Sequence, residues 1–212
     1  MNRGLFITFE GIDGCGKSTQ ARLLAETLKK DFDVITTREP GGTPLAEKIR
    51  ELLIDPENDS MVNDCELLLY LAARAQHVRE VIVPAIDKGG IIICDRFQDA
   101  TFAYQGFGRD IPLQTLKSLN SFATGGLVPD RTFIFDISID TAFARLEAMD
   151  KPRDRLEAGG RQFFEKIRRG YRFLSKEEPG RIILLDGNAS PDILAETVRS
   201  KVATLLEKHS NA

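Results

Sequence analysis

Five short apolar runs punctuate the chain, at Leu5 to Phe9, Val34 to Thr37, Ile91 to Cys94, Thr132 to Ile137 and Ile182 to Leu185, with longer helical patterns between them. The runs are continuously apolar rather than alternating, the pattern of strands covered on both faces in a parallel sheet flanked by helices. Helices are predicted at Ser18 to Lys30, Leu45 to Ile54, Asp64 to Asp87, Pro112 to Thr124, Thr141 to Met149, Gln162 to Ser175 and Pro191 to Lys208. Strand and helix therefore alternate, and the fold class is α/β, a layered parallel sheet. Arg161 to Arg172 is rich in basic residues, yet Phe163, Phe164, Ile167, Tyr171 and Leu174 form an apolar stripe among the charges, so an amphipathic helix accounts for it. Two charged stretches bearing glycine and proline, Arg38 to Pro44 and Asp150 to Gly160, break the pattern and are expected to carry function.

Between the first apolar run and the first helix stands Gly11-Ile12-Asp13-Gly14-Cys15-Gly16-Lys17-Ser18, followed by Thr19. Strand, glycine-rich loop and helix in this order make a phosphate-binding P-loop. The glycines let backbone N–H groups and the positive helix end converge on one phosphate, Lys17 supplies a mobile cation, and Ser18 a hydroxyl for Mg²⁺.

Composition narrows the setting. The 212 residues, 42% of them hydrophobic, can bury one substantial core, and a single domain over 1–212 is expected. A formal charge of −3 argues against bulk attraction to nucleic acid. No apolar run approaches the roughly 18 residues that span a bilayer and the N-terminus lacks a signal-peptide pattern, so a cytoplasmic protein without membrane association is expected. Cys15, Cys65 and Cys94 share no metal-ligand spacing and read as reduced thiols, Cys15 as a small loop filler.

Three strands end in aspartate, at Asp95, Asp136 and Asp186. Asp95 leads into Arg96, Phe97 and a polar, aromatic loop from Asp99 to Arg109, and is chosen as the magnesium-side carboxylate; Asp136 and Asp186 read as turn or helix-entry residues. Arg38, Arg74, Arg96, Arg109, Arg153 and Arg155 all lie in or beside the glycine-rich and polar segments. A site that moves a phosphoryl group between two anionic molecules needs several such cations; a surface charge is the plain alternative for any one of them. Tyr70, Arg74 and His77 share a helix face, which suits a ligand of base and phosphate. Periodicity alone favours Tyr70 within the apolar set and Arg74 reaching outward to water. The stretch Asp150 to Gly160 reads as a lid able to deliver an arginine to the transferred phosphate and exclude water.

Phe9 to Thr19, Thr37-Arg-Glu-Pro-Gly-Gly-Thr43, Tyr70 to Arg74, Asp95-Arg-Phe97 and Ala103-Tyr-Gln-Gly106 together closely resemble the thymidylate kinases, over nearly the whole chain. The resemblance implies a nucleoside monophosphate kinase-like P-loop NTPase fold with a five-stranded parallel sheet and a lid at about 150–160. It further implies phosphoryl transfer from MgATP to thymidine monophosphate (dTMP), giving ADP and thymidine diphosphate, in a homodimer. Gly11 to Thr19 would hold ATP, with Lys17 catalytic. Asp13 would approach the sugar 3′-hydroxyl of dTMP and also serve catalysis, and Arg38 and Arg96 would position its phosphate. Tyr70 would stack on thymine, Arg74 and Gln105 would read its edge beside Thr101, and Glu39, Pro40 and Tyr104 would complete the pocket. Ser18 and, through water, Asp95 would hold Mg²⁺. The P-loop carries no arginine, so Arg153 and Arg155 of the lid are the expected catalytic arginines beside Arg96. A kinase for another nucleoside monophosphate or a deoxynucleoside, and a regulatory P-loop NTPase, are the alternatives.

Overall fold

The computed structural model describes residues 3–148, 155–156 and 159–210. Each apolar run forms a strand: β1 (Leu5–Glu10), β2 (Val34–Arg38), β3 (Ile91–Asp95), β4 (Arg131–Asp136) and β5 (Ile182–Asp186). They make one sheet in the order β2-β3-β1-β4-β5, parallel at every neighbouring pair. The inner strands are buried on both faces, whereas the edge strands β2 and β5 alternate between covered and exposed positions. Continuous burial is thus a property of the middle of the sheet, where helices cover both sides.

The helices are α1 (Lys17–Leu28), α2 (Pro44–Ile54), α3 (Asn63–His77), α4 (Val83–Asp87), α5 (Gln98–Thr101), α6 (Leu113–Thr124), α7 (Ile139–Ala148), α8 (Gly160–Glu177) and α9 (Pro191–Ser210). Two of them correct the sequence reading. The single helix expected from Asp64 to Asp87 is divided between α3 and α4 by a wide-wound turn at Val78–Ile82. Pro84 offers no N–H, and the Val83 N–H reaches back five residues to the Val78 carbonyl, so the wider winding absorbs the mismatch. The loop expected from Asp99 to Arg109 is helical: α5 runs on as wide turns over Phe102–Gly108. Such winding has no 3.6-residue period, and its apolar residues therefore leave no helical signature.

That segment packs against α8, whose stripe of Phe163, Phe164, Ile167, Tyr171 and Leu174 is buried as expected. The two come close at Gly170, where a Cβ would stand 2.8 Å from the Phe107 ring and 3.1 Å from the Ala103 Cα.

At the sheet centre β1 and β3 end level, Phe9 opposite Asp95, and the chain leaving β1 passes beyond β3 to reach β2 while β4 lies on the other side. Such a reversal opens a crevice at the carboxyl ends of the strands, where ligands of open α/β sheets bind. The P-loop follows β1 directly into it.

The packing at Gly170 gives a test. Alanine is the better helix former by about 1 kcal/mol, but overpacking a rigid ring and backbone costs about 1–3 kcal/mol. Gly170→Ala is therefore expected to lower the urea midpoint of unfolding; a raised midpoint would contradict the close approach.

Candidate active site

The P-loop is open where a phosphate belongs. Gly16 caps α1 with φ at +93°, and nothing stands within 4 Å of the position its Cβ would take. No acidic residue occupies the first turn of α1, which leaves the positive helix end to an incoming anion. Lys17 is buried, and its Nζ donates to Asp13 at 3.1 Å. Burial and Arg96 both act against the lysine's charge, but Asp13 and Asp95 prevail and hold its pKa above the usual value. Cys15 is buried beneath the loop with its thiol pushed up by burial, consistent with a filler rather than a nucleophile. The Ser18 hydroxyl donates to Asp95 Oδ2, while Asp95 Oδ1 is buried without a hydrogen-bond partner.

Arg96 follows β3 in the left-handed region, φ +71°, a strain of about 1–3 kcal/mol that the surroundings must hold. Its N–H donates to the Phe9 carbonyl at 2.9 Å. Its guanidinium donates to Gly11 O at 3.0 Å, Tyr171 Oη at 3.3 Å and Asp13 Oδ1 at 2.5 Å, and lies over the Tyr104 ring. Tyr104 in turn donates to Asp13 Oδ2 at 3.2 Å. Burial alone would raise the Asp13 pKa, but Arg96 and then Lys17 overcome it and keep the carboxylate ionised well below the usual range.

Glu10 lies behind this cluster, fully buried, accepting from the Phe97 N–H at 2.7 Å and the Tyr171 hydroxyl at 2.8 Å. Burial, reinforced by Asp99, pushes its pKa up to about 8.

Beside the P-loop is a cavity lined by Asp13, Glu39, Pro40, Arg50, Ile54, Tyr70, Arg74, Arg96, Phe97, Ala100, Thr101, Tyr104, Gln105 and Leu156. Arg74 is 2% exposed, so it does not reach outward to water as periodicity suggested. Its Nε donates to Glu39 at 2.7 Å, and its Nη1 to Thr101 at 2.7 Å and Asn120 at 2.5 Å. Arg74, followed by His77, holds the Glu39 pKa below the usual value against its burial. Ionised Glu39 can only accept, so His77 donates to it from Nδ1 at 3.0 Å; His77 Nε2 meets the Thr37 hydroxyl at 2.7 Å.

Most of the residues proposed from sequence for the acceptor pocket thus converge on this cavity, and Arg38 does not. Thr37 and Glu39 turn toward His77, whereas alternation along β2 sends Arg38 the other way, 55% exposed, to pair with Glu47 at 2.8 Å. It lines an open groove that also includes Ser18 and Asp95. The cavity's third arginine is Arg50 of α2, which donates to Pro40 O at 3.1 Å and which the sequence reading missed. Arg155 is engaged elsewhere, donating from Nε to Leu53 O at 2.9 Å and pairing with Glu66 at 2.7 Å. Arg153 and most of the predicted lid lie outside the described residues. Asp186 is a turn residue as expected, accepting from the backbone and side chain of Asn188. Asp136 is an ion-pair anchor instead, held by Arg168 and Arg172, and the entry to α7 is made by Ser138. Also unforeseen was Arg145, which donates to Gly14 O at 3.1 Å and Gly187 O at 3.4 Å and so braces the P-loop against the turn after β5.

A P-loop beside a second pocket rich in arginine, on a five-stranded parallel sheet, defines a phosphotransferase of the nucleoside monophosphate kinase class. The family model described as Thymidylate kinase matches residues 9–198. The thymidylate kinase of Pseudomonas putida (strain GB-1) is 45% identical over 206 residues, spanning 97% of this chain and 98% of its own. That of Ectopseudomonas mendocina (strain ymp) is 47% identical over 205 residues, spanning 96% and 97%. A crystal structure of thymidylate kinase from Ehrlichia chaffeensis superposes with a TM-score of 0.77 at 35% identity, covering 95% of this chain and 99% of that one. The chain belongs to the thymidylate kinase family.

Glu10 yields a prediction with a definite sign. Its folded pKa of about 8 exceeds the ordinary 4.5, so between these values the folded protein holds a proton that the unfolded chain has released. Its contribution to stability is therefore present below pH 4.5 and is lost as pH rises toward 8. Glu10→Gln removes this titration, and its melting temperature relative to the parent protein is expected to climb steadily from pH 5 to pH 8; a difference independent of pH would refute the buried proton.

Proposed function

We propose that the two pockets bind ATP and dTMP side by side and that the γ-phosphoryl group passes directly between them. The observation that carries this reading is the Asp13 carboxylate, shared by Lys17 of the P-loop and Arg96 of the acceptor cavity. It brings the cations of two anion sites to one place, where charge on a transferred group is stabilised.

In this arrangement Gly11 to Thr19 hold the ATP phosphates through backbone N–H groups, and Lys17 follows the transferred group. Arg96 and Arg50 bind the acceptor phosphate, Asp13 faces the sugar, Tyr70 stacks on the base, and Arg74, Thr101 and Gln105 meet its edge, with Glu39, Pro40 and Tyr104 completing the walls. The donor set also suits Mg²⁺. Ser18 and Asp95 offer hard oxygen ligands, and the unpartnered Asp95 Oδ1 fits a carboxylate that awaits a hydrated cation. Among the described residues no cluster of three or more metal-binding side chains occurs, so phosphates and water would supply the rest of the shell. Bound there, Mg²⁺ would neutralise phosphate charge. Arg38, in the groove that includes Ser18 and Asp95, is assigned to that side rather than to the acceptor.

A homodimer is supported by apolar side chains left exposed on adjacent helices, Leu68 of α3 at 58% and Phe122 of α6 at 87%; sedimentation as a monomer at working concentration would contradict it. Cys15, Cys65 and Cys94 are free thiols, in keeping with a reducing cytoplasm. Among the described residues no helix is long and apolar enough to cross a membrane.

The reading is tested by ADP release from MgATP with each nucleoside monophosphate and with none. Release that requires dTMP, and falls at least about a hundredfold in Lys17→Ala, is expected; release without any acceptor would refute it. Arg50→Ala is expected to raise the KM for dTMP roughly 10- to 100-fold, the loss of a charge-assisted hydrogen bond, and Arg38→Ala to change it less than about threefold.

A further inference from the structure

Glu66, in the first turn of α3, is fully buried and takes no part in the arrangement above. Its Oε1 accepts from Gln105 Nε2 at 2.9 Å and from Arg109 Nε at 3.3 Å. Its Oε2 accepts from Arg109 Nη2 at 3.1 Å and forms an ion pair with Arg155 Nη2 at 2.7 Å, at an angle outside that of a hydrogen bond. Burial opposes the charge, but the hydrogen bonds from Arg109 and Gln105, together with the ion pair to Arg155, hold the carboxyl below its ordinary pKa. One carboxylate thus joins α3, the wide turns after α5, and Arg155 of the predicted lid.

Two consequences reach the acceptor cavity. An ionised carboxylate can only accept, so the Gln105 amide must present Nε2 to Glu66 and is left with its Oε1 and one N–H for a ligand. Arg155, meanwhile, is tied by its backbone N–H to Ile54 O at 3.2 Å and by Nε to Leu53 O, both carbonyls of the last turn of α2. Its neighbour Leu156 is thereby placed in the cavity wall with Ile54 and Gln105.

We infer that Glu66 is a positioning residue for the acceptor base: it fixes the Gln105 amide so that an acceptor oxygen is available to the base, and it holds Arg155 so that Leu156 closes the same end of the cavity. Resting on the dTMP reading above, this makes Glu66 a determinant of specificity. A thymine ring offers N–H at N3, which a fixed amide oxygen accepts; a cytosine ring offers a lone pair there and leaves that oxygen unpaired. Arg155 then serves the base, through Glu66, rather than the transferred phosphate.

The test is steady-state kinetics of Glu66→Gln, whose neutral amide keeps the shape but no longer dictates the orientation of its neighbour. Expected are a KM for dTMP raised about tenfold or more, a kcat within about threefold, an unchanged KM for ATP, and a preference for dTMP over dCMP reduced about tenfold. A lowered kcat with the KM for dTMP and the preference over dCMP intact would overturn the inference, as would no change in any of them. If Glu66→Gln does not fold, Arg155→Lys is measured by the same criteria, since lysine keeps the charge but cannot reach Leu53 O and Glu66 together. A kcat that falls a hundredfold in Arg155→Lys with the KM for dTMP unchanged would place Arg155 at the phosphate and overturn the inference. Failure of the parent reading is separately visible, as a parent protein that does not phosphorylate dTMP.

Discussion

Bringing Lys17 and Arg96 together in the absence of a substrate requires a negative charge between them, and the Asp13 carboxylate supplies it. The two cations keep the carboxylate ionised, and the carboxylate upholds the charge of each cation against burial and, for Lys17, against the repulsion of Arg96. Remove the carboxylate and two cations face one another across a poorly solvated crevice; remove either cation and a partly buried carboxylate loses one of its two supports. The strained backbone of Arg96, the hydroxyls of Tyr104 and Tyr171, and the hydrogen bonds behind them are all arranged around this one compromise. In the proposed reaction, phosphates entering the site would meet cations already in place, with the energy of gathering them spent during folding.

Behind that arrangement the polar interior is layered. Glu39 joins Arg74 to His77, Glu66 joins Gln105 to Arg109 and Arg155, and Glu10 steadies the turn at Phe97 from below. Glu39 ties the chain after β2 to α3, Glu10 ties the end of β1 to α8 and to the turn at Phe97, and Glu66 ties α3 to the wide turns after α5; both oxygens of each have a hydrogen-bond partner. The cavity beside the P-loop is therefore held by polar cross-links between elements as well as by apolar packing, which keeps its polar groups at fixed angles.

What could be read in advance follows from how local each signal is. The strands announce themselves as apolar runs, and the P-loop binds phosphate through its own contiguous backbone, so neighbours in sequence suffice. Arg50, Asn120, Glu66 and Arg145 lie inside regular helices among ordinary helical residues, and only partners in other elements, 10 residues away for Arg50 and 39 to 131 for the rest, give them a role. The departure of Arg38 from its neighbours is invisible in a motif taken as a string, because alternation sends adjacent side chains to opposite faces. The wide turns over Phe102–Gly108 were unreadable for a further reason, since a helix wound away from 3.6 residues per turn leaves a stripe that no periodic template matches.

The strand order has one more consequence, for the growing chain. Residues 5–10 form the central strand, yet the register on one flank is completed only by residues 131–134. At about 5–20 residues per second on the ribosome, on the order of ten seconds separate the synthesis of the strand from the arrival of that neighbour. Throughout that interval Leu5-Phe-Ile-Thr-Phe9 is an apolar ribbon with an unpaired edge, the segment most inclined to find a partner on another chain. Prompt docking of α1 on one face and β3 on the other flank is what shelters it, and substitutions in those early contacts should show themselves in the yield of soluble protein before they show in its activity.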